Sequence, residues 1–213
     1  MLTTIAWQID QNITYALEGS AFISGAAIQW LRDGLGIIHN ASEVESLAAS
    51  VRHSEDVCFV PALSGLGSPY WQPHAKGIIS GITRATTKAH IARATLEGIA
   101  MQNYDILNAM TDENKIAIIN LFVDGGASAN NLLMQIQADT LDCTINRPQQ
   151  LETTAIGAGF MSGLGAGIWT SLDELKSLKS IERIFHPHKN RADAIFLIDK
   201  WKKNIPLTYF GAK

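Results

Sequence analysis

The chain has 213 residues, of which 46% are hydrophobic, and this is enough apolar material for one large or two small globular domains. Its net charge is −3 and no basic cluster is longer than Lys202-Lys203, which indicates that it does not bind nucleic acid. The sequence contains neither a signal-peptide pattern nor an apolar run of the roughly 18 to 20 residues that a membrane helix needs. We therefore expect a cytoplasmic protein without membrane contact.

The cysteines and histidines do not indicate a metal site. Cys58 and Cys143 lie far apart in apolar surroundings, where a buried free thiol is the usual outcome, and this fits a reducing compartment. A proline separates His186 from His188, and no cysteine or acidic partner stands at ligand spacing. We predict no metal bound directly by the chain.

In the first third of the chain, β-prone runs on both sides of Asp10-Gln11-Asn12 predict a hairpin. Apolar spacing then predicts a helix from Ser20 to just before Gly34, and a second one from Ser42 to Val51. Strands are predicted at Val57–Val60 and at 77–83. The loop between these strands is rich in glycine, proline and aromatic residues, and it is either a lid or a structural Ω-loop; the structural interpretation is the better supported.

The rest of the chain alternates between strand and helix patterns. Helices are predicted at His90–Met110, at Asn131–Leu141 and from Ala155 to about Leu164, the last capped by Thr153 or Thr154, and strands at 116–123 and 143–148. The 116–123 run is continuously apolar, as expected for a strand covered on both faces. This alternation predicts an α/β fold in a single domain.

Two further segments have a weaker pattern. The G-x-x-x-G spacings of 157–167 predict a helix packed closely on its neighbour, and the 124–130 turn is one candidate for that neighbour. The segment from Arg183 to Lys202 is interpreted as a surface helix available to partners.

The stretch VDGGASANN, residues 123–131, follows the 116–123 strand and precedes a helix, the position at which open α/β sheets bind ligands. Gly125 and Gly126 either permit a tight turn with positive φ or leave backbone bare for a ligand. Neither a Walker A loop nor G-x-G-x-x-G is present. Asp124 is the one acid there, and it either contacts Mg²⁺ through water or caps the turn.

An amide side chain follows a glycine by four residues at two places in the sequence. Asn130 follows Gly126, and Gln29 follows Gly25. Two such pairs would suit a flat, hydrogen-bonding ligand such as a purine nucleoside, although Gly25 has the alternative role of permitting close helix packing. No carboxylate pair, Ser-His-Asp order or Cys-His pair has catalytic spacing, so we assign no catalytic residue to the chain.

Along nearly its full length the chain resembles the C-terminal half of the FGGY carbohydrate kinases. The stretches that carry the resemblance are YALEGSAFISGAAIQWLRDGLGI, VPALSGLGSPYWQPHAKG, GIISGITRATTKAHIARATLE, VDGGASANNLLMQIQADTL and ETTAIGAGFMSGLGAGIW. The third is similar to the C-terminal signature of the family. SGLGSPYW is similar to the loop of the members that phosphorylate glycerol, whereas pentulose kinases usually have an Arg-Thr-Pro type of sequence there.

The resemblance implies an actin-like ATPase domain of ribonuclease-H-like topology, with a mixed sheet flanked by helices. Residues 1–213 would be the C-terminal, nucleotide-binding domain without its first strands, and the N-terminal domain would be absent. The implied cofactors are ATP and Mg²⁺. The positions that match the family's adenosine contacts are Gly25, Gln29, Gly126 and Asn130, with Gly125 beside them.

The resemblance also implies what the chain lacks. The family's catalytic aspartate and most of its polyol contacts lie in the N-terminal domain, so we expect glycerol to bind only together with that domain and the chain alone to be inactive. The exposed interdomain surface favours self-association into a homo-oligomer. A kinase for another sugar or polyol, and a non-catalytic nucleotide-binding or regulatory module, are the alternatives.

Overall fold

The computed structural model describes residues 1–115 and 117–209. Within them, strands and helices alternate over most of the chain. The strands are β1 (Leu2–Ile9), β2 (Asn12–Glu18), β3 (Cys58–Val60), β4 (Ile78–Ser80), β5 (Asn120–Phe122), β6 (Thr144–Pro148) and β7 (Ile181–Phe185). The α-helices are α1 (Gly25–Asp33), α2 (Glu43–Ala49), α3 (Lys88–Asn114), α4 (Asn131–Leu141), α5 (Thr153–Gly165), α6 (Leu172–Ser177) and α7 (Ala192–Asn204), and 3₁₀ helices occupy Gly126–Ala129 and Ile205–Thr208.

The strands form a mixed arrangement, as the sequence predicts. β1 and β2 form the expected antiparallel hairpin, and β3 pairs antiparallel with β4. In the third sheet, of order β5-β6-β7, β5 runs parallel to β6 and β7 runs antiparallel to it. Helix α4 connects β5 to β6, so the turn that enters α4 lies at the carboxyl end of β5.

Helix α3 is the centre of the core. Its buried face includes Ala92, Leu96 and Ala100, and it contacts α1, α2, α4, α7 and β3. A Cβ atom at Gly98 would collide with the carbonyl oxygen of Phe59, so a glycine is needed where α3 crosses β3. A capping box between Thr87 and His90 begins the helix.

The loop rich in glycine and proline is tied to the core by side-chain hydrogen bonds. The Tyr70 hydroxyl donates to Asp105 Oδ2 at 2.8 Å, and Trp201 Nε1 donates to the same oxygen at 2.6 Å. The backbone N–H of Ser68 donates to the carbonyl of Ser20 at 2.8 Å. These bonds support the structural interpretation of the loop.

The strand predicted at 116–123 is shorter than expected and is exposed. It comprises Asn120–Phe122, Ile116 lies outside the described residues, and Phe122 is 68% exposed. Leu121 packs against the core, but Asn120 and Phe122 on the other face of β5 are exposed, so the prediction of a strand covered on both faces is wrong for this chain. The apolar run instead leaves a hydrophobic surface open.

Two helices also differ from their predictions. α1 begins at Gly25, not at Ser20. The N-cap of α5 is Glu152 without a side-chain cap, so neither Thr153 nor Thr154 caps it. Only Gly163 of α5 is buried, against Trp169, so the described residues do not show the predicted close packing on another helix.

The segment from Arg183 to Lys202 is not one helix. Arg183 lies in β7, which pairs with β6, and α7 begins only at Ala192. The short α6 was not predicted. The helix prediction failed for IERIF because this segment pairs with β6, and its own pattern of two adjacent charged and two adjacent apolar residues does not show this.

Both cysteines are buried and free, as predicted. Burial raises the pKa of the Cys58 thiol to about 11, although the nearby Lys200 ammonium acts against the shift. No helix among the described residues is long and apolar enough to cross a membrane.

The Asp105 carboxyl generates a pH-dependent prediction for stability. Burial raises its pKa, although the hydrogen bonds from Trp201 and Tyr70 act against the shift. Because the folded state holds the proton more tightly, this group's contribution to stability is present at low pH and is lost as the pH rises from about 4 through the raised pKa. Urea unfolding should therefore show Asp105→Asn gaining relative to the wild type over that rise.

The control is Asp199→Asn, the same substitution at an exposed aspartate of α7, against which the pH-dependent gain is measured. Asp105→Ala should lose roughly 1 to 3 kcal/mol for each donor left unpaired. An Asp105→Asn difference that does not change with pH would contradict the predicted pKa direction.

Candidate functional site

The chain turns sharply at Gly125, directly after β5. Gly125 has φ 76° and ψ 170°, a backbone conformation that is essentially restricted to glycine. Its N–H donates to the carbonyl of Leu151 at 2.9 Å, and its carbonyl accepts from Ser128 Oγ at 2.7 Å. The tight-turn interpretation therefore explains Gly125.

The turn does not explain Gly126. Its φ is not positive, and a Cβ atom placed there would meet no heavy atom within 4 Å. The amide groups of Gly126 and Ala127 have no acceptor among the described residues. Gly126 therefore leaves accessible backbone beside open space, which is where a ligand can contact the main chain.

Asn130 has a structural role that spacing did not predict. It is the N-cap of α4, and its Oδ1 accepts from the N–H of Leu133 at 2.8 Å. It is 9% exposed, and its Nδ2 group donates to no residue of the described chain. The side-chain oxygen of Asn130 therefore caps α4, and the side-chain nitrogen is a free donor. Gly126 and Asn130 are joined by a 3₁₀ helix, not by a turn of one continuous α-helix.

The fold brings the two glycine–amide pairs together. A Cβ atom at Gly25 would lie 3.7 Å from the Cβ of Ala127, which is ordinary van der Waals contact. Close helix packing therefore does not require a glycine at position 25. Gln29 is exposed one turn later on α1 and has no hydrogen-bond partner among the described residues.

The N-terminal end of α4 is already occupied. Glu45 of α2 accepts from the N–H of Asn131 at 3.2 Å, and Asn130 satisfies the N–H of Leu133. The Glu45 carboxylate therefore takes the place that an anionic ligand would take at a helix N-terminus. The free donors near this turn suit the uncharged part of a ligand, such as a nucleoside, better than its phosphates.

Arg147 supports the turn from behind and was missed by the sequence analysis. It lies in β6, is 7% exposed and donates to the carbonyls of Ser128 and Ala129 at 2.9 and 3.1 Å. Glu182 accepts from it at 2.8 Å. A charged residue between Asn146 and Pro148 in an otherwise buried strand was the available signal.

Asp124 makes no hydrogen bond to the part of the chain that the structure describes, so it does not cap the turn. Its exposed carboxylate fits a water-mediated contact to a cation. The described residues contain no group of three or more histidine, cysteine, aspartate or glutamate side chains that could hold a metal ion.

Comparison with known proteins gives a family match over most of the chain. Residues 8–164 match the model of the FGGY family of carbohydrate kinases, C-terminal domain. A glycerol kinase of Bdellovibrio bacteriovorus is 58% identical over 186 residues, and one of Paraburkholderia phytofirmans is 53% identical over 205 residues. These matches cover 87% and 96% of this chain but only 38% and 41% of the relatives, so the chain spans about two fifths of their length.

Solved structures agree on the fold. The crystal structure of Plasmodium falciparum glycerol kinase with ADP is 34% identical, has a TM-score of 0.88 and covers 97% of this chain and 42% of its own. A xylulose kinase from Lactobacillus acidophilus is 21% identical with a TM-score of 0.76, and it covers 95% of this chain and 41% of its own. The predicted actin-like, ribonuclease-H-like ATPase fold is confirmed.

The different roles of the two glycines can be tested by substitution. Gly125→Ala should lose roughly 1 to 3 kcal/mol of unfolding free energy because alanine is strained at its φ and ψ. Gly126→Ala should be as stable as the wild type or gain roughly 0.5 kcal/mol, because its surroundings are open. Urea unfolding measures both variants. An equal loss for the two would show that Gly126 also has a structural role.

Proposed function

The chain belongs to the FGGY family of carbohydrate kinases, and from this premise we propose that it is the C-terminal, nucleotide-binding half of a glycerol kinase. The proposed reaction of the whole enzyme transfers the γ-phosphoryl group of ATP to a hydroxyl of glycerol and yields ADP and glycerol 3-phosphate. Residues 1–213 would supply the nucleotide side of that enzyme.

The observation that carries the proposal is that the fold places Gly25 close to the turn of Gly126, beside open space. Gly25 lies next to Ala127, in the turn that begins at Gly126. Unpartnered donors surround this place: the backbone amides of Gly126 and Ala127, the Gln29 side chain and Nδ2 of Asn130. A purine nucleoside has the flat face and the acceptor atoms to use them.

Glycerol is the acceptor that the relatives favour. Bacterial glycerol kinases are 50% to 58% identical to this chain and the Plasmodium falciparum glycerol kinase is 34% identical, whereas the xylulose kinase is only 21% identical, a similarity that supports the fold alone. The glycerol-type loop SGLGSPYW, residues 64–71, agrees with this assignment. A kinase for another polyol is therefore the less supported alternative.

Phosphoryl transfer requires groups beyond those of the 126–130 turn. Phosphoryl transfer depends on positioning and on stabilising charge on both sides of the transferred group. We propose that the general base comes from the remaining three fifths of the enzyme, the part of the relatives that this chain does not match. Asp124 would contact Mg²⁺ through water, and the ion would neutralise phosphate charge when bound.

The exposed apolar surface fits a chain that works within a larger assembly. The exposed apolar side chains include Phe122 of β5 with Ile119 before it, and Met161 of α5 with Ile168 after it. We propose that the rest of the kinase covers part of this surface. In the isolated chain the same surface would favour self-association, which sedimentation can measure.

The nucleotide site predicts a specific binding pattern. The purified chain should bind ATP and adenosine, and Gln29→Ala and Asn130→Ser should each weaken both ligands by roughly 3- to 10-fold, the effect of one lost hydrogen bond. Serine is chosen at position 130 because it keeps the N-cap of α4 while it removes the amide. Isothermal titration calorimetry measures the affinities.

Gln11→Ala, in the turn between β1 and β2, is the matched control for an exposed glutamine and should bind like the wild type. If Gln29→Ala and Asn130→Ser bind nucleotide as tightly as Gln11→Ala and the wild type, the assigned nucleotide residues are wrong. If the wild type binds no nucleotide, the proposed function fails.

Because we propose that the general base lies outside this chain, the isolated 213-residue chain should not convert ATP and glycerol to products. A coupled assay with ATP, Mg²⁺ and glycerol should show no ADP formation above background, because the base and the second phosphate-binding surface are missing. Glycerol-dependent turnover would contradict this account. It would place a general base among the residues of this chain.

A further inference from the structure

All three guanidinium nitrogens of Arg147 donate hydrogen bonds to the turn or to residues next to it. Nη1 donates to the carbonyls of Ser128 and Ala129, and Nη2 donates to Asn131 Oδ1 at 3.0 Å. Nε donates to Glu182 Oε2, which also lies 2.7 Å from Nη2. Because a guanidinium is planar and rigid, these bonds fix the acceptors relative to one another.

The bonds fall on the residues that determine where Asn130 lies. The carbonyls of Ser128 and Ala129 immediately precede it in the chain, and the Asn131 side chain immediately follows it. Asn130 itself has φ −78° and ψ 111°, so it is an extended residue between two helices. Without an external tie, an extended residue between two helices has considerable freedom to reorient.

The charge of Arg147 is balanced within the same cluster. Glu182 of β7 pairs with it, and the guanidinium lies 5.2 Å from the centre of the Phe185 ring. Arg183 Nη1 donates to Asn131 Oδ1 at 3.1 Å and so adds a second tie to that side chain. The turn is thereby connected to β6 and β7, the two strands beyond β5.

We propose that Arg147 is a positioning residue for nucleotide binding, with Glu182 as its counter-ion. It holds the 126–130 turn so that the Gly126 amide and the free Nδ2 of Asn130 face the ligand. This inference rests on the proposed nucleotide-binding function. It assigns part of the affinity to a residue that does not contact the nucleotide.

The chain contains a matched control at the opposite end of α4. Arg191 donates from Nη2 to the carbonyls of Asp139 and Thr140 and from Nη1 to Asp142 Oδ2. Like Arg147, it binds two consecutive carbonyls and a carboxylate, but it lies at the other end of α4 from the turn. A merely structural role would make the two arginines equivalent.

The test compares Arg147→Lys and Arg191→Lys by urea unfolding and by calorimetric titration with ATP and with adenosine, at a temperature where both variants are folded. Lysine keeps the charge but cannot form the planar fork. Arg147→Lys should lower the affinity for both ligands by a similar factor, roughly tenfold, because the turn serves the nucleoside. Arg191→Lys should lower stability without changing either affinity.

Glu182→Gln is the second variant, because Glu182 is half-exposed and its loss is compatible with folding. It should lower both affinities by a smaller factor than Arg147→Lys. Equal affinities in the wild type and Arg147→Lys, or equal losses in the two arginine variants, would overturn the inference while leaving the proposed function standing. A wild type that binds neither ATP nor adenosine would overturn both.

Discussion

The conformation of Gly125 is the constraint on which the candidate site depends. At φ 76° and ψ 170° the chain leaves β5 in a direction that other residues rarely permit. That change of direction places Gly126 beside open space and lets Asn130 start α4. The turn and the ligand contact are therefore not alternatives. One glycine makes the turn, and the next one leaves the backbone accessible.

The first backbone N–H groups of α4 are already hydrogen-bonded within the chain, and this determines which part of a nucleotide the turn would suit. A free helix N-terminus would attract phosphate, but Glu45 and the side chain of Asn130 already accept N–H groups of the first turn. The donors that are left free are neutral: backbone amides and amide side chains. The geometry therefore suits a nucleoside at this place better than a phosphate group.

Local patterns in the sequence predicted most of the strands and helices. Asn131–Leu141 was predicted with its observed bounds, because its apolar spacing is helical. The pairing of Gly25 with the 126–129 turn could be inferred only from a repeated offset and a family resemblance. Their contact joins residues about one hundred positions apart, and no local pattern encodes it.

The sequence predictions were wrong or incomplete where contacts between distant parts of the chain determine burial and hydrogen bonding. The apolar run before Asp124 predicts a covered strand, but only the face of β5 that carries Leu121 packs against the core, and Phe122 on the opposite face is exposed. The role of Arg147 was not predicted because its acceptors are carbonyls, which every residue has. Glu182, its counter-ion, is 35 positions away, so the pair has no sequence spacing to recognise.

The central claim is that the turn after β5 presents free donors to a nucleoside. The most direct measurement is a two-dimensional ¹⁵N–¹H NMR titration of the chain with adenosine. The account predicts saturable shifts of the Gly126 and Ala127 amides and of the Gln29 side-chain amide, while the amides of α6 do not move. Adenosine that shifts other residues and leaves these three signals unchanged would contradict it.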